Sequence, residues 1–134
     1  MSIGFIIEKK IGMLLTSWVG IINDKVMLES FKKFIENEPD WNPKLHHIAD
    51  LTEADVSNLT LKGIYKLSRL MKDNTIRGSR RVAVIAEQDS DFRASELYRS
   101  FFKQEDRDIE IFENIEDAID WFKKGYREDG LWWT

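Results

Sequence analysis

The sequence predicts an α/β fold: a single mixed, mostly parallel sheet of about five strands that starts with an N-terminal β-hairpin and is packed with about four helices. Three observations indicate this class. The length of 134 residues suits one domain, taken here as 1–134. Beyond two opening apolar runs, strand-like and helix-like segments alternate. The run "RVAVIAE" is continuously apolar, which is typical of a central parallel strand.

The first elements follow from short local patterns. The apolar runs "GFIIEKK" and "IGMLLTSWVG" predict two strands, and the charged "EKKIG" between them predicts a turn. Asn23 or Asp24 is suited to cap the helix that follows. The apolar residues at helical spacing in that helix are Val26, Met27, Phe31, Phe34 and Ile35. The two prolines of "ENEPDWNP" then predict a loop.

The second half continues the alternation. "KLHHIADL" is the predicted third strand, and the polar "TEADVSN" predicts a passage that caps the second helix. The apolar side of this helix is formed by Leu59, Ile64, Leu67, Leu70 and Met71. "RVAVIAE" is the fourth strand, a third helix covers about 91–102, and "DIEIFEN" is the fifth strand. The last helix is predicted from its cap, Asn114, to its close at Gly125.

Composition excludes several classes of function. A net charge of -4, from 20 basic and 24 acidic side chains, argues against binding of duplex nucleic acid. The absence of Cys excludes disulfides, thiolate zinc sites and Cys nucleophiles. Glu8, Lys9 and Lys10 interrupt the apolar N-terminus, so neither a membrane-spanning helix nor a signal peptide is predicted. We expect a soluble cytoplasmic protein.

The two histidines of the chain, His46 and His47, are adjacent in the third predicted strand. A zinc ion needs three or four converging ligands, whereas adjacent side chains on a strand point to opposite faces. We therefore predict no metal site. We expect one histidine to be half-buried in the strand and the other to lie near a sheet edge or a helix terminus.

Asp50 is predicted to end the third strand, and open α/β sheets bind ligands outside the carboxyl ends of their strands. Two interpretations stay open. Asp50 either organises the loop by accepting backbone N–H bonds or acts as a catalytic group with His46 or His47. No G-x-S-x-G, G-x-G-x-x-G or G-x-x-x-x-G-K-[ST] motif is present, so a non-enzymatic protein without a cofactor is the prediction.

Charged and hydroxyl groups flank two further elements. Arg77, Arg80 and Arg81 precede the fourth strand, where they could bind an anion or form a charged surface turn. Ser57 and Thr60 bracket the start of the second helix. Each could cap that helix or carry a phosphate, which would meet the helix dipole but would also be repelled by the neighbouring acids.

The order of these segments resembles that of the SpoIIAA-like proteins, relatives of the STAS domain found in sulphate transporters and anti-sigma factor antagonists. The likeness covers about 3–123, and its best markers are the strand ending "ADL", the strand "VAVIA" and the terminal "F-x-x-I-E-D-A-I-D-W-F". The resemblance implies a STAS-like domain that regulates other proteins through protein–protein interaction. For the SpoIIAA-like branch it also implies a capacity to bind a small apolar ligand or lipid.

The resemblance also indicates a surface. In anti-sigma factor antagonists, a Ser in an Asp-Ser-Ser-Gly-like turn after the corresponding strand is phosphorylated. Here the region reads "VSNLTLKG", with Asn58 near the Asp position and Thr60 near a Ser position, but without Ser-Ser-Gly. The expected ligand or partner surface comprises Asp50, Thr52, Asp55, Ser57, Asn58 and Thr60. Within it, Ser57 and Thr60 are the candidate phosphorylation sites.

Aromatic residues make up 12% of the chain and raise two further alternatives. Trp18, Trp41 and Trp121 either pack the core or line a cavity for an apolar ligand. The tail "GLWWT" contains Leu131, Trp132 and Trp133. These three residues either fold onto their own domain or are buried against a second copy, and a homodimer is the hypothesis taken forward.

Overall fold

The computed structural model describes residues 1–75, 80–102 and 108–129. These residues form one five-stranded sheet and four α-helices. In chain order the elements are β1 Ser2–Glu8, β2 Met13–Ile21, α1 Asp24–Asn37, β3 His46–Asp55, α2 Leu61–Asn74, β4 Val82–Ile85, α3 Asp89–Ser100, β5 Ile109–Phe112 and α4 Ile115–Asp129. The predicted fold class is confirmed. Arg77, Leu131, Trp132 and Trp133 lie outside the described residues.

The sheet has the strand order β1-β2-β3-β4-β5, so neighbours in sequence are neighbours in space. β1 and β2 form an antiparallel hairpin, and all later pairs are parallel. The hairpin is closed by a single 3-10 turn and by Gly12, whose φ of 62° lies in the left-handed region that favours glycine. The predicted turn at "EKKIG" is therefore confirmed.

Helices cover both faces of the sheet, but unequally. The side chains of α1, α2 and α3 pack with one face in the larger core cluster, which includes Phe31, Leu67 and Ala94. We call this the three-helix face. The smaller cluster, between the opposite face and α4, comprises Met13, Ile48, Ala83, Ile85, Ala118 and Phe122. Since side chains alternate along a strand, consecutive residues of β3 enter different clusters.

Two predicted boundaries are wrong. β3 does not end near Asp50 but continues to Asp55, because β2 pairs with it as far as Ile21. An irregularity in this pairing between Ser17 and Val19 accommodates one extra residue of β3. Likewise α4 does not close at Gly125 but runs to Asp129. Glycine within a helix costs only about 1 kcal/mol relative to alanine and does not stop a helix by itself.

Candidate functional site

Asp50 and Asp55, the two acids of the predicted surface that lie in β3, each accept hydrogen bonds from a hydroxyl residue two positions later. Asp50 Oδ1 accepts hydrogen bonds from the backbone N–H of Thr52 at 2.9 Å and from its hydroxyl at 2.7 Å. Asp55 Oδ1 accepts the equivalent pair from Ser57 at 2.9 and 2.6 Å. These bonds, the hydroxyl bond first, lower the pKa of Asp55. Both carboxylates therefore organise local backbone, which is the first of the two interpretations weighed for Asp50.

Thr60 lies at a junction between two helix N-termini. Its hydroxyl oxygen accepts the N–H of Gly63 at 3.0 Å, so it caps α2. The same hydroxyl donates to Asp24 Oδ2, and the Thr60 backbone N–H donates to Asp24 Oδ1 at 2.9 Å. Asp24 is itself in the first turn of α1, where Asn23 is the cap. One carboxylate thus stabilises the positive ends of both helices.

The predicted surface residues fall into two groups. Asp55, Ser57, Asn58 and Thr60 are exposed and follow one another at the end of β3 and the start of α2. Asp50 and Thr52 are only partly exposed. Asp50 has the strand parity of Ile48, which packs with α4, so it lies on the face opposite the three-helix face.

The two histidines lie on opposite faces, as predicted. His46 is partly buried, and its Nδ1 accepts the backbone N–H of Arg81 at 2.8 Å. His47 is buried on the three-helix face, where its ring lies 6.0 Å from that of Phe31. Asp50 shares a face with His46, but four residues of strand, about 13 Å, separate them. Asp50 is therefore not positioned to hydrogen-bond to either imidazole.

His47 belongs to a buried polar network that the sequence did not indicate. Its Nε2 lies 2.8 Å from Thr16 Oγ1, which also accepts the indole N–H of Trp18 at 3.0 Å. Burial, and secondarily the positive charge of Arg80, lowers the pKa of His47 to about 3. The imidazole is therefore neutral at physiological pH. Side chains alternate along β2, so Thr16 and Trp18 lie on one face, and the pairing of β2 with β3 brings them to His47.

A cavity of about 60 Å³ lies between the three-helix face and the helices that cover it. Its walls are mainly apolar, with contributions from Phe31 of α1, Leu67 of α2 and Ala94 of α3. Its polar members include His47, Ser95 and Tyr98. Of the three tryptophans considered above, Trp18 lines the cavity. Trp41 instead packs on Phe34, and Trp121 packs on Phe112 and Phe122.

The two described arginines that precede β4 differ sharply in their surroundings. Arg81 forms an ion pair with Asp108 at 2.8 Å, donates to the carbonyl oxygen of Trp121 and lies over its ring. Arg80 donates from Nε to the carbonyl oxygen of Leu45 at 2.9 Å. Its Nη2 is buried and has no hydrogen-bond partner among the described residues. Both arginines thus bond to backbone carbonyl oxygens of other segments.

The fold is of the SpoIIAA-like class, as the resemblance implied. An uncharacterized protein of the DUF3478 family from Shewanella loihica PV-4, with a SpoIIAA-like fold, matches this chain with a TM-score of 0.59. The two chains are 22% identical, and the match covers 90% of this chain and 93% of that one. At this identity the likeness establishes the fold alone. No family model and no curated protein matches the sequence.

Two further properties concern only the described residues. None of the helices among them has the length and apolar character needed to span a membrane. In the same part of the chain, no group of three or more potential ligands could hold a metal ion.

The junction at Asp24 can be tested through Gly63. A Cβ at this position would lie 2.1 Å from Asp24 Cγ, so Gly63→Ala should displace the carboxylate from Thr60. We expect the free energy of unfolding, measured by urea denaturation, to fall by about 1–3 kcal/mol despite the better helix propensity of alanine. The control is Gly4→Ala, where the nearest atom is 3.9 Å away and little change is expected. Unchanged or higher stability of Gly63→Ala would contradict the junction.

The buried His47 should make stability depend on pH. Its pKa is about 3 in the folded chain and near 6.5 when unfolded, so the unfolded state binds more protons between these values. The contribution of neutral His47 is complete above pH 6.5 and is lost progressively as the pH falls towards 3, by about 1.4 kcal/mol per pH unit. Urea denaturation between pH 7 and 5 should reveal this slope in the wild type and in His46→Gln, but not in His47→Gln. Equal slopes in all three would refute the assignment.

Proposed function

We propose that this chain is a non-enzymatic regulatory domain that binds a partner protein where β3 leads into α2. We call this region the β3–α2 surface. It comprises Asp55, Ser57, Asn58, Thr60, Leu61 and Tyr65. Asp50 and Thr52 are left out, because Asp50 lies on the opposite face of the sheet and holds Thr52 by its carboxylate. The observation that carries the proposal is the exposure of two large apolar side chains beside this row of polar groups: Leu61 is 59% exposed and Tyr65 is 45% exposed.

The position of these two side chains supports a docking role. Leu61 and Tyr65 are four residues apart and therefore lie side by side on α2. Other residues, including Ile64, Leu67 and Met71, form the buried side of the same helix. The ring of Tyr65 packs edge-on against Phe101 at 5.2 Å, which holds it in place before a partner arrives. Aromatic side chains of this kind are enriched at protein interfaces.

The exposed charges near the apolar pair have both signs. Lys62 and Lys66 are exposed beside Leu61 and Tyr65 on α2, and Glu53 and Asp55 are exposed where β3 ends. A partner with an apolar side chain for the Leu61–Tyr65 patch and with acidic side chains for these lysines would match the helix. Such charge complementarity mainly raises the association rate and the selectivity.

Of the two hydroxyl residues, Ser57 is better placed to act as a phosphorylation switch. The Thr60 hydroxyl is used by the junction with Asp24 and Gly63, and a phosphate there would disrupt the cap. The exposed Ser57 hydroxyl donates to Asp55. A phosphate on Ser57 would be repelled by this carboxylate, which would open the turn and alter the surface without removing a helix cap.

A photo-crosslinker tests the docking surface in the native cell. Placed at Leu61 of the full chain, it should yield a discrete crosslinked partner, and Tyr65→Asp should reduce the yield about tenfold or more. The matched control is the same crosslinker at Ile115, which is 42% exposed on α4. The same products from both positions, or none from Leu61 under any growth condition, would count against a partner at this surface.

A second candidate function is the binding of a small apolar ligand, which the cavity on the three-helix face favours. About 60 Å³ accommodates only a few non-hydrogen atoms. A lipid chain would need the helices to move apart. The walls include side chains of α1, α2 and α3, so a bound ligand would contact all three.

Xenon and cyclopropane are suitable probes of this second function, because apolar cavities bind such molecules. We expect both to shift amide NMR signals around the cavity in the wild type. Ala94→Leu places a larger side chain in the wall and should abolish the shifts. Arg93→Leu, which adds the same side chain at an exposed position of α3, should retain them. Shifts that are absent from the wild type, or unaffected by Ala94→Leu, would reject the cavity as a ligand site.

A further inference from the structure

β1 lies at one edge of the sheet, and its sequence does little to prevent pairing with another strand. The strand order β1-β2-β3-β4-β5 leaves β1 and β5 at the two edges of the described sheet. β1 has seven residues, contains neither lysine nor proline, and pairs with β2 without a bulge. Its one charged residue, Glu8, is the last. β1 therefore has few of the features by which proteins protect exposed edges, which are charges, prolines, bulges and short length.

β5, at the opposite edge, is protected. It has only four residues, Ile109–Phe112. Arg99 of α3 donates to the carbonyl oxygen of Ile109 at 3.5 Å and lies 3.7 Å from the carboxylate of Glu110. A short strand with a charged side chain bound to it is a poor template for a further strand. The contrast indicates β1 as the edge that is open to pairing.

The hydrogen bonds at the two ends of β2 determine which backbone groups of β1 are free. The N–H of His46 donates to the carbonyl oxygen of Gly12, and the N–H of Ile22 donates to that of Asp55. Since backbone groups alternate in direction along a strand, even-numbered residues of β2 bond to β3 and odd-numbered ones bond to β1. In the observed register, the odd-numbered residues of β2 lie opposite even-numbered residues of β1. The residues of β1 whose backbone N–H and C=O groups point away from the sheet are therefore Ile3, Phe5 and Ile7.

The helix above this edge is set back from it. The ring of Phe31 lies 5.1 Å from that of Phe5 in β1 and 5.8 Å from that of Trp18 in β2. It also lies 6.0 Å from the ring of His47 in β3. This part of α1 is therefore centred on β2, about 5 Å inside the edge. On the opposite face of the sheet, the side chain of Ile6 is 60% exposed. A further strand can thus approach β1 without meeting α1.

We propose that β1 pairs antiparallel with β1 of a second copy of this chain, across a two-fold axis at Phe5, to form a continuous ten-stranded sheet. Ile3 then lies opposite Ile7 of the second copy, and Phe5 lies opposite its own equivalent. These are the three residues whose backbone groups point outward, so each free donor of one copy meets a free acceptor of the other. The edge is self-complementary, as a two-fold interface requires.

The side chains of the other face are compatible with the same register. The exposed Ile6 lies opposite Gly4 of the second copy, which has no side chain to obstruct it. Glu8 lies opposite Ser2 of the second copy, so the two Glu8 carboxylates are six residues, about 20 Å, apart along the strands. Like charges directly opposite each other would destabilise the pair, and this register has none within β1.

The size of the contact indicates a reversible dimer. An edge of seven residues is about 24 Å long, and a sheet with its side chains is about 10 Å thick, so the pairing covers roughly 240 Å² of each copy. A standard stable interface covers about 800 Å² of each partner. We therefore expect a dissociation constant of about 10–100 μM. The proposal is independent of partner binding at the β3–α2 surface and of ligand binding in the cavity.

Sedimentation equilibrium of the full chain from about 1 μM to about 1 mM tests the dimer. The wild type should pass from monomer to dimer over this range. Ile6→Lys should weaken the dimer about tenfold or more, because the two new ammonium groups are diagonal neighbours about 7–8 Å apart. Ile6→Glu should do the same, and an equimolar mixture of the two variants should associate again. The matched control is Ile115→Lys on α4, where the wild-type side chain is 42% exposed and no change is expected.

Amide hydrogen exchange tests the predicted register in the wild type. The amides of Ile3, Phe5 and Ile7 should exchange rapidly in the monomer and become protected as the concentration rises. The amides of Gly4 and Ile6 bond to β2, so their protection should not depend on concentration.

A monomeric mass up to about 1 mM would overturn the proposal. It would also fail if Ile6→Lys and Ile115→Lys weakened the dimer equally, or if dimer formation left exchange at Ile3, Phe5 and Ile7 unchanged. Should the Ile6 variants fail to fold, the concentration dependence of exchange in the wild type decides the question. A photo-crosslinker at Ile6 in the native cell should yield a product of twice the mass of the chain. Products with another protein alone would assign the edge to that protein and reject the second copy.

Discussion

The pairing of β3 with β2 on one side and with β4 on the other is the interaction on which the rest of the structure depends. β3 carries His47 and Leu51 into the three-helix core and Ile48 into the core beneath α4. A shift of one residue in this register would exchange the two sets. The cavity, the His47 network and the accessibility of the β3–α2 surface all follow from that one alignment.

The two candidate sites are distinct, but they share a helix. α2 begins at the exposed surface, with Thr60 as its cap and Leu61 and Tyr65 towards solvent. On its buried side, Leu67 and Met71 line the cavity. A protein partner would thus meet one side of α2 and a small ligand the other. Asp24 fixes the start of this helix relative to α1, so the junction is a structural support for both sites.

The acids of β3 and the arginines that precede β4 differ in how completely their hydrogen bonds are satisfied. Asp50 and Asp55 accept hydrogen bonds from the hydroxyls of Thr52 and Ser57 respectively, so both carboxylates stabilise local backbone. Within the described residues, the buried Nη2 of Arg80 has no hydrogen-bond acceptor. Buried polar groups in folded proteins are nearly always satisfied, so this donor and the Oδ1 atom of the buried Asp91 are exceptions in that part of the chain. Arg81, the neighbour of Arg80, forms an ion pair with Asp108 and donates to the carbonyl oxygen of Trp121.

Local sequence patterns were sufficient to predict the fold class, the order of the elements and the opposite orientation of His46 and His47. These depend on local periodicity, since strand alternation and helical spacing are properties of a few consecutive residues. These patterns did not determine that β3 continues through a polar stretch to Asp55, because that extension is stabilised by β2, more than thirty residues earlier. The exposed half of the candidate surface was likewise foreseeable from its polar residues. The burial of His47, the cavity and the unpartnered donor of Arg80 were decided only by tertiary structure, because each requires segments distant in sequence to pack around one point.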